Sequence, residues 1–411
     1  MYRVVVTGLG VIAPVGRNPS EFFDGLIAAR SGIRPVALET IPQPHSLVAG
    51  QIDFDASAFF PAHQAAQLDR ATQFAMAAAA EAIIDASIEL NEQQCLRAGV
   101  YWGTGLGGAR SIEDSYRNFF AGNGRVRPTA VVMGMNNAAA GQISITYGFR
   151  GPVLNVSTAC SSSASAIGEA YRAIRGGYAD VIVAGGSEAL LTFGNLMAWD
   201  AMRAIAHADP FDASRSCKPF SANRAGLVLG EGAGALVLER SDWAVRRGAH
   251  IYAEIVGYGN TSDAFNISQP DSAGQVRAMR LALDEAELMP DEIDYVNAHG
   301  TATHIGDVVE TNALKEVFAE RSRPWVSSTK ALHGHLMGAS GAVEMVASVM
   351  ALEHGIVPPT AHLDVSDPSC DLDYVPNEPR TRELRAVMSN SFGFGGMNAV
   401  LVARRLPRIV R

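Results

Sequence analysis

Apolar runs recur along the chain: RVVVTGLG, AGVYWGTG, GPVLNVS, ADVIVAGG, GAGALVLE, IYAEIVGYG, IDYVNAHG, RPWVSSTK and NAVLVARR. Several show no polar alternation, the pattern of strands buried on both faces. Between them lie alanine-rich segments with helical spacing, such as ATQFAMAAAAEAIIDAS, GQVRAMRLALDEA and GAVEMVASVMALEHG. Strands alternating with helices predict an α/β layered fold.

Two stretches resemble each other in plan. NVSTACSSSASAIGEAYRAIRGG and WVSSTKALHGHLMGASGAVEMVASVMALEHG both leave an apolar strand through a VS-containing turn. Both then enter a Gly/Ala/Ser-rich helix and stop at glycine. A duplication with its seam near residue 250 would account for this, and it divides the chain into residues 1–250 and 251–411.

Composition narrows the class. The 411 residues are 48% hydrophobic, enough for an ample core in one large or two medium domains. A net charge of -9 argues against a nucleic-acid binder. The start, MYRVVVTGLGVIAPVG, lacks the charged and long apolar regions of a signal peptide, and no 18-residue apolar stretch predicts a membrane span. Cys95, Cys160, Cys217 and Cys370 are scattered, without CxxC spacing. They point to a reducing cytoplasm and no zinc site.

Two glycine motifs suggest nucleotides and then fail. GLGVIA, Gly8–Ala13, fits G-x-G-x-x-A after a strand, but no acid follows about 20 positions on. Pro14 also falls where the helix should propagate. GTGLGG, Gly103–Gly108, is a lone glycine loop.

Cys160 offers better chemistry. Val153, Leu154 and Val156 precede it, Ser157 to Ser165 surround it with small residues, and AIGEAYRAI follows with helical spacing. A thiol at such a strand–helix junction faces unpaired N–H groups, which are expected to lower its pKa. A nucleophile needs partners. His299 in NAHGTATHIGDVVE and His335 in STKALHGHLMGASGAVE each stand beside glycine near an apparent strand end, with Lys330 five positions before His335. A third stretch, NSFGFGGMNAV, carries Gly393, Gly395 and Gly396, which suit a mobile loop whose N–H groups face a reacting oxygen.

STACSSS, NAHGTAT.IGD, STK....GH..GASGAVE and NSFGFGG, in this order and spacing, resemble the elongating β-ketoacyl-acyl-carrier-protein synthases. The similarity extends over essentially the whole chain. It implies the thiolase fold, two α/β halves stacked as α-β-α-β-α layers. Cys160 matches the nucleophile that takes an acyl chain, and His299 and His335 match the enolate stabilisers. Lys330 matches the lysine that orients them, and Asp307, Glu310 and Glu344 match supporting acids. Thr301 and Thr303 match hydroxyls that touch phosphopantetheine. Phe394 matches the gate residue whose N–H, with that of Cys160, forms the oxyanion hole, and Leu106 matches an acyl-tunnel residue. Arg125, Arg127 and Arg203 lie in segments resembling the carrier-docking rim. The implied reaction is decarboxylative condensation of the Cys160-bound acyl chain with malonyl-acyl-carrier protein. It needs no metal and no cofactor beyond the carrier's phosphopantetheine. The implied partners are an acyl-carrier protein and a second subunit, either an identical copy or a chain-length-factor-like chain.

There are departures. KPFSANRAGLV has Ser221 and Ala225 where the family pattern R-P-x-D-x-x-R-D-G-F carries acids, and His304 stands where proline is common. PAHQAAQLDR is nearly uncharged where relatives supply basic docking residues. These differences point toward a specialised polyketide, polyene or lipid pathway as readily as toward primary fatty-acid synthesis. Among rivals, a chain-length-factor-like subunit would lack the cysteine. A thiolase or initiating synthase would use a different second-half constellation, and a cysteine hydrolase would need a G-x-S-x-G-like elbow.

Overall fold

The computed structural model describes residues 1–37, 47–318 and 324–406. Ten strands form one mixed sheet. In chain order they are β1 (Val4–Ile12), β2 (Ala98–Gly103), β3 (Val153–Val156), β4 (Val181–Glu188), β5 (Gly232–Arg240), β6 (Ala253–Ser262), β7 (Tyr295–Asn297), β8 (Trp325–Ser327), β9 (Ala386–Gly393) and β10 (Met397–Arg404). Arg323, at the head of the RPWVSSTK run, lies outside the described residues.

The spatial order is β8-β7-β9-β10-β6-β1-β5-β4-β2-β3. Read outward from the centre, each strand of one half has a counterpart five numbers later in the other. The senses match too: β2 pairs parallel with β3 and β4, β7 pairs parallel with β8 and β9, and β5 and β10 are antiparallel to their neighbours. The halves meet where β1 and β6 pair antiparallel over Val4–Val6. The two stretches that look alike in sequence follow equivalent strands, β3 and β8.

Five layers arise from three apolar cores. Helices α2 (Ser162–Arg175) and α5 (Ser340–His354) pack together in the middle, in a core that also holds the inward side chains of both half-sheets. Helix α1 (Arg70–Asp85) covers the outer face of the first half, and α3 (Ser272–Ala286) covers that of the second. The arrangement is the α-β-α-β-α sandwich of the thiolase fold.

The GLG motif serves this packing. A Cβ on Gly8 would lie 2.1 Å from the Ala82 carbonyl oxygen, and one on Gly10 would lie 2.0 Å from that of Ala78. The second half repeats the device: Gly257 and Gly259 of β6 lie against the carbonyls of Ala282 and Ala278 on α3. These glycines bring helix and strand together.

The GPVLNVS run carries β3, which is not buried on both faces. It is the edge strand, and Val153 and Leu154 are exposed. Ile145, Val131, Val132, Met135 and Phe120 are further exposed apolar residues in the neighbouring helical segments.

Candidate active site

Cys160 sits on a one-turn helix, Ala159–Ser161, between β3 and α2. Its neighbours are small because the start of α2 presses on the sheet. A Cβ on Gly103 would lie 2.3 Å from Ser163 N, and one on Gly186 would lie 2.5 Å from Ser163 Cβ. Ala159 has φ +52°, so the turn holds a non-glycine residue in the left-handed region. This is a strained elbow that the sequence does not announce through any G-x-S-x-G pattern.

The second half brings its residues to the thiol. His299 follows β7, and its turn is held by Glu310 of helix α4 (Gly306–Val317). The two carboxylate oxygens accept the backbone N–H groups of His299 at 2.9 Å and Gly300 at 2.7 Å. Asp307, one turn earlier, accepts from Phe220 N at 2.7 Å and Ala302 N at 3.1 Å. His335 lies between β8 and α5, where its Nδ1 meets Ser340 Oγ at 2.8 Å. The histidine ring centroids are 5.3 Å apart. Cys160 Sγ and one ring nitrogen of each histidine lie within 4.8 Å of one another. His299 Nδ1 and His335 Nε2 are buried without a partner. Among the described residues, this trio is the one group of His, Cys, Asp and Glu side chains close enough to share a metal ion.

Lys330 and Glu344 form a fully buried ion pair behind the histidines. Burial, and then the Lys330 charge, holds both imidazoles well below their ordinary pKa. They are therefore neutral near pH 7. Either Ser340 Oγ or His335 Nδ1 can be the donor in their bond, and a ring that accepts there carries its proton on the unpartnered Nε2.

The thiol reverses an expectation. Burial pushes Cys160 up to about 11, against the pull of the Phe394 backbone N–H hydrogen-bonded to it and of Lys330. Removal from water is the largest influence on it, and the buried Glu188 carboxylate adds to the upward push.

Phe394 belongs to the turn between β9 and β10, where Gly395 and Gly396 have φ +82° and +70°. Its ring stacks on Trp199 at 5.7 Å and 22°. Cys160, both histidines, Phe394, Thr301 and Thr303 all line one cavity of about 380 Å³. The two threonine hydroxyls are 3.1 Å apart.

The remaining candidates separate. Arg203 is exposed on the wall of this cavity, but Arg125 and Arg127 line a different cleft, beside Arg117. Leu106 is half-exposed and does not reach the cavity wall of this chain. Sequence reasoning missed Arg224, although it lies in the KPFSANRAGLV stretch. It is buried, donates to the carbonyls of Ser221, Thr303 and His304 at 2.8, 3.1 and 2.9 Å, and pairs with Asp367 at 2.5 Å. Ser221 is also fully buried and donates to Val365 O at 3.0 Å. Ser340 and Trp199 were missed as well. No one-dimensional signal separates them from other serines and aromatics.

Residues 1–244 match the family described as beta-ketoacyl synthase, N-terminal domain, and residues 252–364 match beta-ketoacyl synthase, C-terminal domain. The chain is 40% identical over 408 residues to 3-oxoacyl-[acyl-carrier-protein] synthase 2 of Staphylococcus aureus, covering 98% of each chain. It is 43% identical over 405 residues to nodulation protein E of Rhizobium meliloti, covering 98% of this chain and 99% of that one. Among solved structures, it superimposes with a TM-score of 0.91 and 31% identity on a type II polyketide ketosynthase in complex with its acyl-carrier protein and bound to a hexaketide. That match covers 99% of this chain and 100% of the other. The chain belongs to the β-ketoacyl synthase family.

Proposed function

We propose that the protein condenses an acyl chain held on Cys160 with malonyl-acyl-carrier protein, releasing CO₂ and a 3-oxoacyl-acyl-carrier protein. The observation that carries this reading is the convergence of a buried thiol and two neutral histidines on one cavity. The full-length relatives that are 3-oxoacyl-[acyl-carrier-protein] synthases support it.

In the first step, Cys160 Sγ attacks the acyl thioester carbonyl. The pantetheine sulfur leaves and takes the cysteine proton. The N–H groups of Phe394 and Cys160 face the oxyanion. In the second step, the C–CO₂⁻ bond of the malonyl group breaks, and its electron pair moves onto the thioester oxygen. A neutral N–H from each imidazole stabilises that enolate without handing it a proton outright. The enolate carbon then attacks the Cys160 thioester, and the cysteine sulfur leaves as the thiolate and takes a proton from water. Lys330, paired with Glu344, orients the histidine segment, while Asp307 and Glu310 hold the turns that carry Thr301, Thr303 and His299. The threonine hydroxyls suit the pantetheine arm. Arg203 at the cavity wall suits an acidic carrier better than Arg125 and Arg127, which lie in a separate cleft. This chemistry calls for no metal and no further cofactor.

The exposed apolar edge at β3 suits pairing with a second copy of the chain, with residues 1–250 and 251–411 as the two halves of each subunit. The four free cysteines fit a cytoplasmic setting. No helix among the described residues is long and apolar enough to cross a membrane.

The test is incubation with a panel of acyl-carrier proteins followed by intact-mass analysis, then addition of malonyl-carrier protein. An acyl adduct on Cys160 that disappears as CO₂ and 3-oxoacyl carrier form is the expected result. A protein that takes up no acyl group from any carrier would refute the assignment.

A further inference from the structure

Glu188 ends β4 and has no part in the chemistry above, yet its carboxylate is completely buried. Four donors converge on it from both halves of the molecule. From the turn after β2 come Gly105 N at 2.7 Å, Leu106 N at 3.2 Å and Thr104 Oγ1 at 3.2 Å. From the one-turn helix Met337–Ala339, just after His335, comes Gly338 N at 3.0 Å. Thr104 Oγ1 also accepts from Gly107 N at 3.0 Å, which closes the first turn.

The two turns touch through this carboxylate with no spare room. A Cβ on Gly338 would lie 2.7 Å from Glu188 Oε2 and 2.4 Å from Gly105 N. One on Gly105 would lie 2.9 Å from the same oxygen. Burial pushes Glu188 up to about 7 while the N–H donors pull it down. Backbone dipoles therefore carry the stabilisation of the charge.

What these turns hold is the apolar surround of the thiol. Met337 precedes Gly338, has φ +47°, and packs in the same buried cluster as Cys160, Leu190 and Leu196. Leu190 lies two residues beyond Glu188. The carboxylate thus grips Met337 from one side and the chain leading to Leu190 from the other.

We propose that Glu188 is a positioning residue that fixes Met337 and Leu190 beside Cys160 and so decides which acyl chains the thiol accepts. The proposal rests on the reading of Cys160 as the acyl-carrying nucleophile. Glutamine cannot replace the carboxylate, because its NH₂ group would face a backbone N–H and leave a buried donor unpaired. The Gly338 turn is then free to relax from its left-handed residue, and Met337, an adaptable side chain, moves with it.

The test compares Glu188→Gln and Glu188→Asp with Glu81→Gln. Glu81 is a partly buried carboxyl that burial also raises to about 7, but it sits on α1 and accepts from Val11 N, outside the catalytic cavity. Intact-mass analysis gives the rate of Cys160 acylation from a series of saturated acyl-carrier proteins, short to long. Glu188→Gln is expected to shrink the ratio between the best and worst chain lengths by about tenfold, the scale at which small displacements near a reacting group act. Glu81→Gln is expected to leave that ratio within about twofold while lowering the melting temperature comparably. Glu188→Asp keeps the charge but withdraws it by one methylene. It is expected to show the same change in smaller degree, and it carries the comparison if the glutamine variant does not fold. Native ratios in the Glu188 variants, or an equal change in Glu81→Gln, would overturn the proposal while leaving native acylation intact. A native protein that accepts no acyl chain would remove the ketosynthase reading and this proposal together.

Discussion

The chain after β3 and the chain after β8 are the same elbow built twice. Each leaves its strand on Val-Ser, Val156-Ser157 in one and Val326-Ser327 in the other. Each reaches a one-turn helix whose first residue is left-handed, Ala159 at φ +52° and Met337 at φ +47°. Each then enters a long buried helix, and the two helix starts are joined where Ala342 N donates to Ser163 Oγ at 2.9 Å. They differ in what separates strand from elbow. In the first half it is Thr158 after Ser157. In the second it is residues 328–336, which carry Lys330 and His335. At the place of Cys160 the second elbow has Gly338. The opposing strand ends are exchanged to match: the turn after β9 offers Phe394 N–H to the thiol, while the end of β4 offers Glu188 to Gly338 N–H. The short connection leaves its elbow tip for a nucleophile, and the long one gives up that tip to carry the cation and the imidazole.

The largest effect should come from emptying the first elbow. Cys160→Ala is expected to abolish acyl uptake, a loss of at least about 10³-fold, because no other group takes the covalent intermediate. A normal acyl adduct on the variant by mass spectrometry would place the nucleophile elsewhere. Removing what the second half contributes should act on the other step. His299→Ala and His335→Ala are expected to keep acylation but slow CO₂ release from malonyl-carrier protein by about 10²–10³-fold, the range for loss of one oxyanion donor. Native CO₂ release in either variant would exclude that histidine from the enolate site.

Much of this division can be read in the sequence. Cys160 among small residues and histidines beside glycines are local patterns, and the strand–helix alternation predicts the layers. Most of the partners that hold those residues are long-range contacts, and none leaves a local trace. Glu188 meets Gly338 across the molecule, Ser340 meets His335 only after a helix has formed, and Arg224 closes onto Thr303 and His304 through their carbonyls. The exposed face of β3 is hidden for a related reason: an apolar run does not tell whether its strand lies inside the sheet or at the edge. For the thiol, a helix start raises thiolate stability and burial lowers it, and only the burial is invisible in one dimension.

That last point has its own test. With the thiol pushed up to about 11, its thiolate fraction should rise about tenfold per pH unit below that value. Alkylation of Cys160 by iodoacetamide, read as the native adduct minus that of Cys160→Ala, should therefore be about a hundredfold faster at pH 9 than at pH 7. A plateau by pH 8 would mean that the elbow's N–H groups outweigh burial. The gate should give a smaller effect. Phe394→Ala removes the ring stacked on Trp199 but keeps the backbone N–H at the thiol. Condensation is expected to slow by about tenfold with blurred chain-length preference, an effect of misplacement rather than lost chemistry. A variant that only melts several degrees lower, with native rates and selectivity, would make Phe394 a packing residue.

The smallest effect probes the strain common to both elbows. Ala159 in the left-handed region costs about 1–2 kcal/mol that glycine would not pay. Glycine also adds about 0.4–1 kcal/mol of unfolded-chain entropy. Ala159→Gly should thus leave stability unchanged or raise it by up to about 1.6 kcal/mol, a shift of about 2 °C or less for a chain of this size. Met337→Gly should not gain in this way, because it also removes a buried side chain from the Cys160 cluster, a loss of about 2–5 kcal/mol. The activity of Ala159→Gly should move the other way from its stability. A freer elbow holds Cys160 less firmly beneath the Phe394 N–H, so acylation should slow by a few-fold while His335-dependent CO₂ release keeps its native rate. Scanning calorimetry beside the two single-step assays reads all three quantities. A melting temperature several degrees lower for Ala159→Gly would show that its elbow is held by packing, like the Met337 elbow, and that the strain in the two is not alike.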